Sequence, residues 1–378
     1  MEKKNIYADY AATSPVSEKV LRVMLPYFTE NFGNPSGVHR VSRTAAKAVA
    51  EARRKIASAI GADFSEIYFT SGGTEADNWA LSLAKGKKIV TANVEHKAVL
   101  TCCKALEKAG TVVTYLPVNR DGFVTAKQVE AAIDSETALV SVMYANNEIG
   151  TVMPIEEIAE ICRKKGVLFH TDAVQAIGNL PVDVKRQKID MLSCSGHKIG
   201  APKGIGFLYV CKGTPIESLI KGGNQEFGLR AGTENVPAIV GLGEALKLAC
   251  ENQKNNSEYV RELRDKLIDG LLKITDVRLN GSCENRLCGN VNVSFSGVES
   301  EAVLLMLDAE GICASGGSAC TTGDDEPSHV LTAIGVDKEY LNGTIRFTLS
   351  SMNTTDEIDY IIEKTSEIIK RLRKIRGI

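Results

Sequence analysis

Apolar and polar positions run along the first two-thirds of the chain in two rhythms. Short runs dense in β-branched and aromatic residues, such as Ile67-Tyr68-Phe69-Thr70 and Lys88-Ile89-Val90-Thr91, read as strands, as do 112–116, 138–143, 167–170 and 189–194. Between them, 44–60, 98–109 and 154–165 place apolar residues at helical spacing. That alternation predicts an α/β fold with a mainly parallel sheet covered by helices on both faces. Near residue 250 the texture changes. Glu251-Asn252-Gln253-Lys254-Asn255-Asn256 reads as a polar break, and the chain beyond it alternates helix and strand as a smaller α+β unit does. The expected division is a large domain over 15–250 and a small one formed by 251–378 together with 1–14. No internal repeat or low-complexity tract interrupts this order.

Composition narrows the class. A chain of 378 residues with 44% hydrophobic and 24% charged content can bury a large core. Its net charge is 45 − 47 = −2, without a basic run, so neither nucleic acid nor a membrane is expected as a direct partner. The charged start at Met1 to Asn5 does not read as a signal peptide and no apolar run reaches membrane length, so a cytoplasmic location is the default expectation. Ten cysteines lack paired CxxC spacing and are expected as thiols. Cys194, Cys211 and Cys313 lie in or beside apolar runs and read as small buried hydrophobes. Cys320 lies in Ser315-Gly316-Gly317-Ser318-Ala319-Cys320-Thr321-Thr322-Gly323, whose composition is that of an exposed loop, where a thiol is accessible.

Candidate chemistry gathers at the ends of the predicted strands. Ser193-Cys194-Ser195-Gly196-His197-Lys198 puts a lysine on a turn after an apolar strand. A lysine partly withdrawn from water loses its charge more easily than a surface lysine and can form a Schiff base with an aldehyde; a solvated loop lysine would have the same sequence. Ser71-Gly72-Gly73-Thr74-Glu75 is a strand, glycine turn, helix arrangement whose free N–H groups suit a phosphate, or simply a capped helix start. Asp172 and Gln175 come after another strand, where open α/β sheets bind ligands; Asp172 could pair with a protonated ring nitrogen or cap the next helix. His96 could stack on a flat cofactor. His170, inside a strand, reads as a satisfied core histidine, and His39 and His197 also fall in motif-like stretches. Asn146-Asn147-Glu148-Ile149-Gly150 offers amides or a turn. Arg346, alone among apolar neighbours, needs a carboxylate, from a ligand or from the protein.

In their order and combination these stretches resemble the cysteine desulfurases, pyridoxal-phosphate enzymes of the aminotransferase-like fold. The resemblance runs from Tyr7-Ala8-Asp9-Tyr10-Ala11-Ala12-Thr13 and Asn34-Pro35-Ser36 through the strand-end motifs to Arg230-Ala231-Gly232-Thr233-Glu234-Asn235, Gly317-Ser318-Ala319-Cys320 and Ile345-Arg346-Phe347. It implies a fold type I transferase with a homodimeric assembly. Lys198 would hold pyridoxal phosphate covalently and later move protons at the substrate's Cα. Asp172 would keep the ring nitrogen protonated, Gln175 would bond the ring oxygen, and His96 would stack on the ring and serve in acid–base steps. Gly73, Thr74, Ser195 and His197 would hold the phosphate, joined by Thr233 from a second subunit. Asn147 and Arg346 would grip the carboxylate of L-cysteine. Cys320 would attack its sulfur, releasing L-alanine and keeping a persulfide for a sulfur acceptor, an iron–sulfur scaffold protein or a tRNA-thiolation carrier.

The chain departs from the family pattern at Asn224 and Phe227, at Gly200 and at Ser350-Ser351, which puts the shape and charge of the site entrance in question. The acidic run Asp324-Asp325-Glu326 bears on which acceptor can approach. Another pyridoxal-phosphate enzyme on the same fold, such as an aminotransferase or a selenocysteine lyase, is the first rival, and an aminotransferase does not need Cys320. A catalytically silent scaffold has no use for Lys198, Asp172, Gln175 and Cys320 together.

Overall fold

The computed structural model describes residues 5–316 and 327–377. Its strands are β1 (Ile6–Tyr7), β2 (Ile67–Thr70), β3 (Lys88–Ala92), β4 (Val112–Leu116), β5 (Thr137–Ser141), β6 (Leu168–Asp172), β7 (Met191–Ser195), β8 (Gly206–Val210), β9 (Val277–Leu279), β10 (Asn290–Phe295), β11 (Ile312–Cys313), β12 (Ser315–Gly316) and β13 (Thr344–Thr348). The helices are α1 (Glu18–Met24), α2 (Pro26–Thr29), α3 (Arg40–Ala59), α4 (Gly73–Ser82), α5 (Lys97–Lys108), α6 (Ala126–Ala132), α7 (Ile155–Lys165), α8 (Val236–Leu271), α9 (Ser300–Ala309), α10 (His329–Ala333), α11 (Lys338–Leu341) and α12 (Thr355–Arg376).

Seven strands form one sheet in the order β2-β8-β7-β6-β5-β3-β4. From β7 to β4 every neighbouring pair is parallel, while β8 runs antiparallel to both β7 and β2. Two antiparallel steps restore direction, so β2 points the same way as β7. The carboxyl ends of β2, β3, β5, β6 and β7 therefore lie at one edge. These strands read as continuous apolar runs because helices cover both faces: β2, β7 and β8 are buried at every position. Gly206 sits opposite both Thr70 and Ser195. A Cβ there would come within 2.3 Å of the Cys194 carbonyl and 2.8 Å of Gly72 Cα, so glycine lets the β2–α4 turn close against the end of β7.

A second core is built on the antiparallel sheet β12-β13-β10-β9. It buries Val291, Val293, Phe295, Ile345 and Phe347 beneath α9 and α12, and Ile6 and Ala8 belong to it as well, with β1 pairing in parallel with β11. The polar stretch 251–256 is not a break in the chain. It is the mainly exposed middle of α8, a 36-residue helix whose Val236–Leu246 portion packs on the first core and whose Val260–Leu271 portion packs on the second. A solvent-facing helical segment and a linker have the same composition, and here the helix continues. Ser315-Gly316, read from sequence as part of a loop, is strand β12 paired with Arg346 and Ile345. Among the described residues no helix is long and apolar enough to cross a membrane.

Candidate active site

A cavity of about 310 Å³ opens at the shared carboxyl edge of the large sheet, between the two cores. Its walls bring together Gly73, Thr74, His96 and Asp172 with Gln175, Ser195, His197 and Lys198, and the second core contributes Arg346 beside Asn147. Thr233 is exposed and does not line it. Cys320 lies outside the described residues. A larger cavity of about 670 Å³ shares Gln175 and Lys198 and is lined also by Ser350 and Ser351, but it lacks Asp172, Thr74 and His197, so the candidate residues converge on the smaller one.

Each wall has a local cause. Strand β7 ends at Ser195, and the chain turns through a short 3-10 helix over Gly196–Lys198. Lys198 Nζ then donates to the carbonyls of Ala11 (2.5 Å) and Ala12 (2.7 Å). The Ala11 carbonyl also accepts from Gln175 Nε2 at 3.1 Å, so the N-terminal segment braces both side chains. His197 is held by Thr13 Oγ1 at 3.2 Å. Burial, reinforced by the neighbouring charges of Lys198 and Lys203, depresses its imidazole to about 4, so it is neutral near pH 7 and can donate without carrying charge. On the far side of β7 the β2–α4 turn presents the start of α4, where Gly72 provides no side-chain cap and the first N–H groups face outward. A Cβ at Gly73 would lie 2.8 Å from Val174 Cγ2, so this wall admits only glycine without rearrangement.

Asp172 closes β6, is 6% exposed, and accepts from the Val174 N–H at 2.9 Å. Burial raises its carboxyl above the ordinary range; His96, the Val174 bond and Lys198 oppose that. His96 caps α5 by accepting from the Ala98 N–H at 3.1 Å through Nδ1, which places the ring proton on Nε2. Arg346, 1% exposed, donates to Asp9 Oδ1 at 2.9 Å and to the Asn147 carbonyl at 3.0 Å, while its Nε has no partner among the described residues. Its carboxylate is thus Asp9, which sequence reasoning quoted in a motif and gave no role.

Sequence reasoning missed further wall residues. Asp77, 1% exposed and with no hydrogen-bond partner for Oδ1 among the described residues, lines the cavity from α4 and carries no sequence signal beyond helical spacing from Gly73. Glu148 and His329 also line it. His329 is the histidine that fell in no motif, whereas His39, which did, caps α3 far from the cavity wall. His170 is wholly buried between Ser141 (2.9 Å) and Ser193 (3.0 Å), and burial drives its pKa down to about 3.

An uncapped helix start beside two hydroxyls and a neutral histidine suits a phosphate. A buried carboxylate at a strand end suits a protonated ring nitrogen, and a lysine between them suits an aldehyde. The comparisons agree. Residues 6–361 match the aminotransferase class-V family. The chain is 51% identical to a cysteine desulfurase IscS of Methanosarcina thermophila, over 99% of this chain and 94% of that protein. A solved structure titled as a NifS-like protein superposes with a TM-score of 0.92 at 38% identity, covering 97% of this chain and all of that one. A second, SspA in complex with cysteine, superposes with a TM-score of 0.82 at 39% identity, covering 91% and 99%.

The chain belongs to the class-V aminotransferase family. Within it, this protein is a pyridoxal-phosphate-dependent cysteine desulfurase.

Proposed function

We propose that this cavity is where cofactor and L-cysteine meet, with a separate task for each wall residue. Lys198 would hold the cofactor through its aldehyde, and its amine is placed to carry protons to and from the substrate Cα. Asp172 would pair with the ring nitrogen, Gln175 would bond the ring oxygen and His96 would pack on the ring. Gly73, Thr74, Ser195 and His197 would hold the phosphate, joined by Thr233 from a second copy in a homodimer. When bound, pyridoxal phosphate supplies the electron sink, and the protein supplies orientation and electrostatics. Arg346 and Asn147 receive the carboxylate of L-cysteine, Asp9 yielding part of its hold on the guanidinium.

Cys320, as thiolate, attacks the sulfur of the bound substrate. An S–S bond forms as the C–S bond breaks, the bonding pair stays with the carbon skeleton, and protonation there releases L-alanine. The persulfide passes to an acceptor, an iron–sulfur scaffold or a thiolation carrier, in the cytoplasm. The second core, with residues 1–14, is read as a domain that brings Arg346 and the Cys320 segment to the larger one. The observation that carries this reading is that Lys198, Asp172, Thr74 and Arg346, from distant parts of the chain, line a single cavity.

Mass spectrometry after a single turnover with L-cysteine tests it: one added sulfur is expected on the peptide containing Cys320. Sulfur on another cysteine, with undiminished turnover in Cys320→Ser, would overturn the assignment.

A further inference from the structure

One buried carboxyl at the cavity has no task in that reaction. Glu148 is 3% exposed, and its backbone is bound to both cores. Its N–H donates to Asn146 Oδ1 at 2.9 Å, and its carbonyl accepts from the side-chain amides of Asn290 and Asn292 on β10, each at 3.1 Å. From that fixed base Glu148 Oε2 accepts from Ser328 Oγ at 2.5 Å. Ser328 caps α10, its Oγ accepting from the N–H groups of Val330 (3.1 Å) and Leu331 (3.3 Å). Both lone pairs of that hydroxyl are taken, so its proton is committed to Glu148. The next residue, His329, lines the cavity and meets the Glu95 carbonyl through Nε2 at 3.0 Å.

We propose that Glu148 is a positioning residue, which through Ser328 holds the first turn of α10, and with it His329, at the wall of the active-site cavity. The titratable and charged groups facing it are Arg346 on β13 and His96 and Lys97 at the start of α5; burial outweighs them and lifts the Glu148 carboxyl to about 7. The tether therefore has two strengths. Below that midpoint Glu148 is protonated and the Ser328 bond is an ordinary one; above it the bond is charge-assisted, roughly twice as strong. The consequence for turnover rests on the cavity being the desulfurase site, while the anchoring does not.

Hydrogen exchange of the apoprotein at pH values bracketing the midpoint tests the anchoring. With rates corrected for intrinsic chemistry, the amides of Val330 and Leu331 are expected to exchange about five-fold more slowly on the alkaline side. Glu148→Gln should show low-pH protection throughout, and Ser328→Ala should lose both the step and the basal protection. The Ser328 variant, at a half-buried surface position, keeps the test open if the Glu148 variant does not fold. Equal wild-type protection on both sides, or a step persisting in Glu148→Gln, would overturn the tether. In the holoenzyme Glu148→Gln should lower kcat several-fold on the alkaline side with KM unchanged; a protection step without that response would refute positioning for the reaction while leaving the desulfurase assignment intact.

Discussion

Replacing Asp9 by asparagine is the sharpest test of how the second core presents its arginine. Arg346 is 2% exposed in its side chain and Asp9 17%, so the two partners are not equivalent. Replacing the carboxylate by a neutral amide leaves the buried guanidinium without a counter-charge among the described residues, held by the Asn147 carbonyl and at most an amide oxygen. Breaking a buried pair from one side costs about 3–5 kcal/mol. Water reaching the Asp9 side, and the surviving Asn147 bond, place the expected loss near the lower end, about 3 kcal/mol. Urea unfolding of the apoprotein, compared at equal m-value, measures it. The functional corollary is rescue: at one fixed L-cysteine concentration, a hundredfold above the variant's Kd, the substrate carboxylate can take the place of Asp9 and should stabilise Asp9→Asn by about 2.7 kcal/mol, and wild type, where Asp9 competes for the guanidinium, by less. An unchanged urea midpoint in Asp9→Asn would show that Arg346 is neutralised by something else. Equal stabilisation of both proteins by L-cysteine would show that the substrate carboxylate does not go to this guanidinium.

Lys198→Ala should abolish covalent attachment of the cofactor, seen as loss of the borohydride-fixed mass adduct. Cys320→Ser should release no sulfide from L-cysteine while keeping the absorption of the bound cofactor; full sulfide production would remove Cys320 as nucleophile. Glu226→Gln should destabilise by about 3 kcal/mol in urea, since Glu226 accepts from Arg53 at 2.7 and 2.8 Å and from the Phe69 N–H at 2.8 Å, with both partners buried. Asp77→Asn should flatten the pH dependence of apoprotein stability: a carboxyl raised by burial makes the fold bind a proton that the unfolded chain releases, so wild-type stability falls as pH rises above the ordinary carboxylate range. A steeper profile in Asp77→Asn, from urea midpoints across pH, would reverse that sign.

The strands were legible because they are buried on both faces, which turns them into unbroken apolar runs; the central β5, β6 and β7 fall within a few residues of their expected places. Strand β8 went unnoticed although all five of its residues are buried, since it comes after the lysine turn with no helix between. The polar run 251–256 misled because only the three-dimensional path distinguishes an exposed helical turn from a linker. Cys194 is buried as expected, whereas Cys211 and Cys313 are half-buried. At the site, residues whose chemistry is carried by type and strand-end placement, Lys198, Asp172 and Thr74, could be picked from sequence. Residues that act through a partner could not: Asp9 meets Arg346 across 337 positions and Glu148 meets Ser328 across 180. No local pattern records such pairs.

The same geometry decides which buried acid carries charge. Asp77, Glu95 and Asp172 are all enclosed, and burial is the largest influence on each. The neighbours differ. Asp77 and Glu95 feel Asp172 as a like charge, which pushes both further up and well above the ordinary range, whereas Asp172 has His96 and Lys198 nearby to draw it down. His170 cannot rescue Asp77, because it stays neutral and its Nε2 is 3.7 Å from Oδ1, beyond a hydrogen bond. The balance therefore favours protons on Asp77 and Glu95 over Asp172, the one acid of the three at a strand end beside the lysine. A cationic ring nitrogen entering the cavity would add a further positive neighbour to Asp172 and deepen that separation. Of the three, Asp172 is thus the acid whose surroundings most favour an anion.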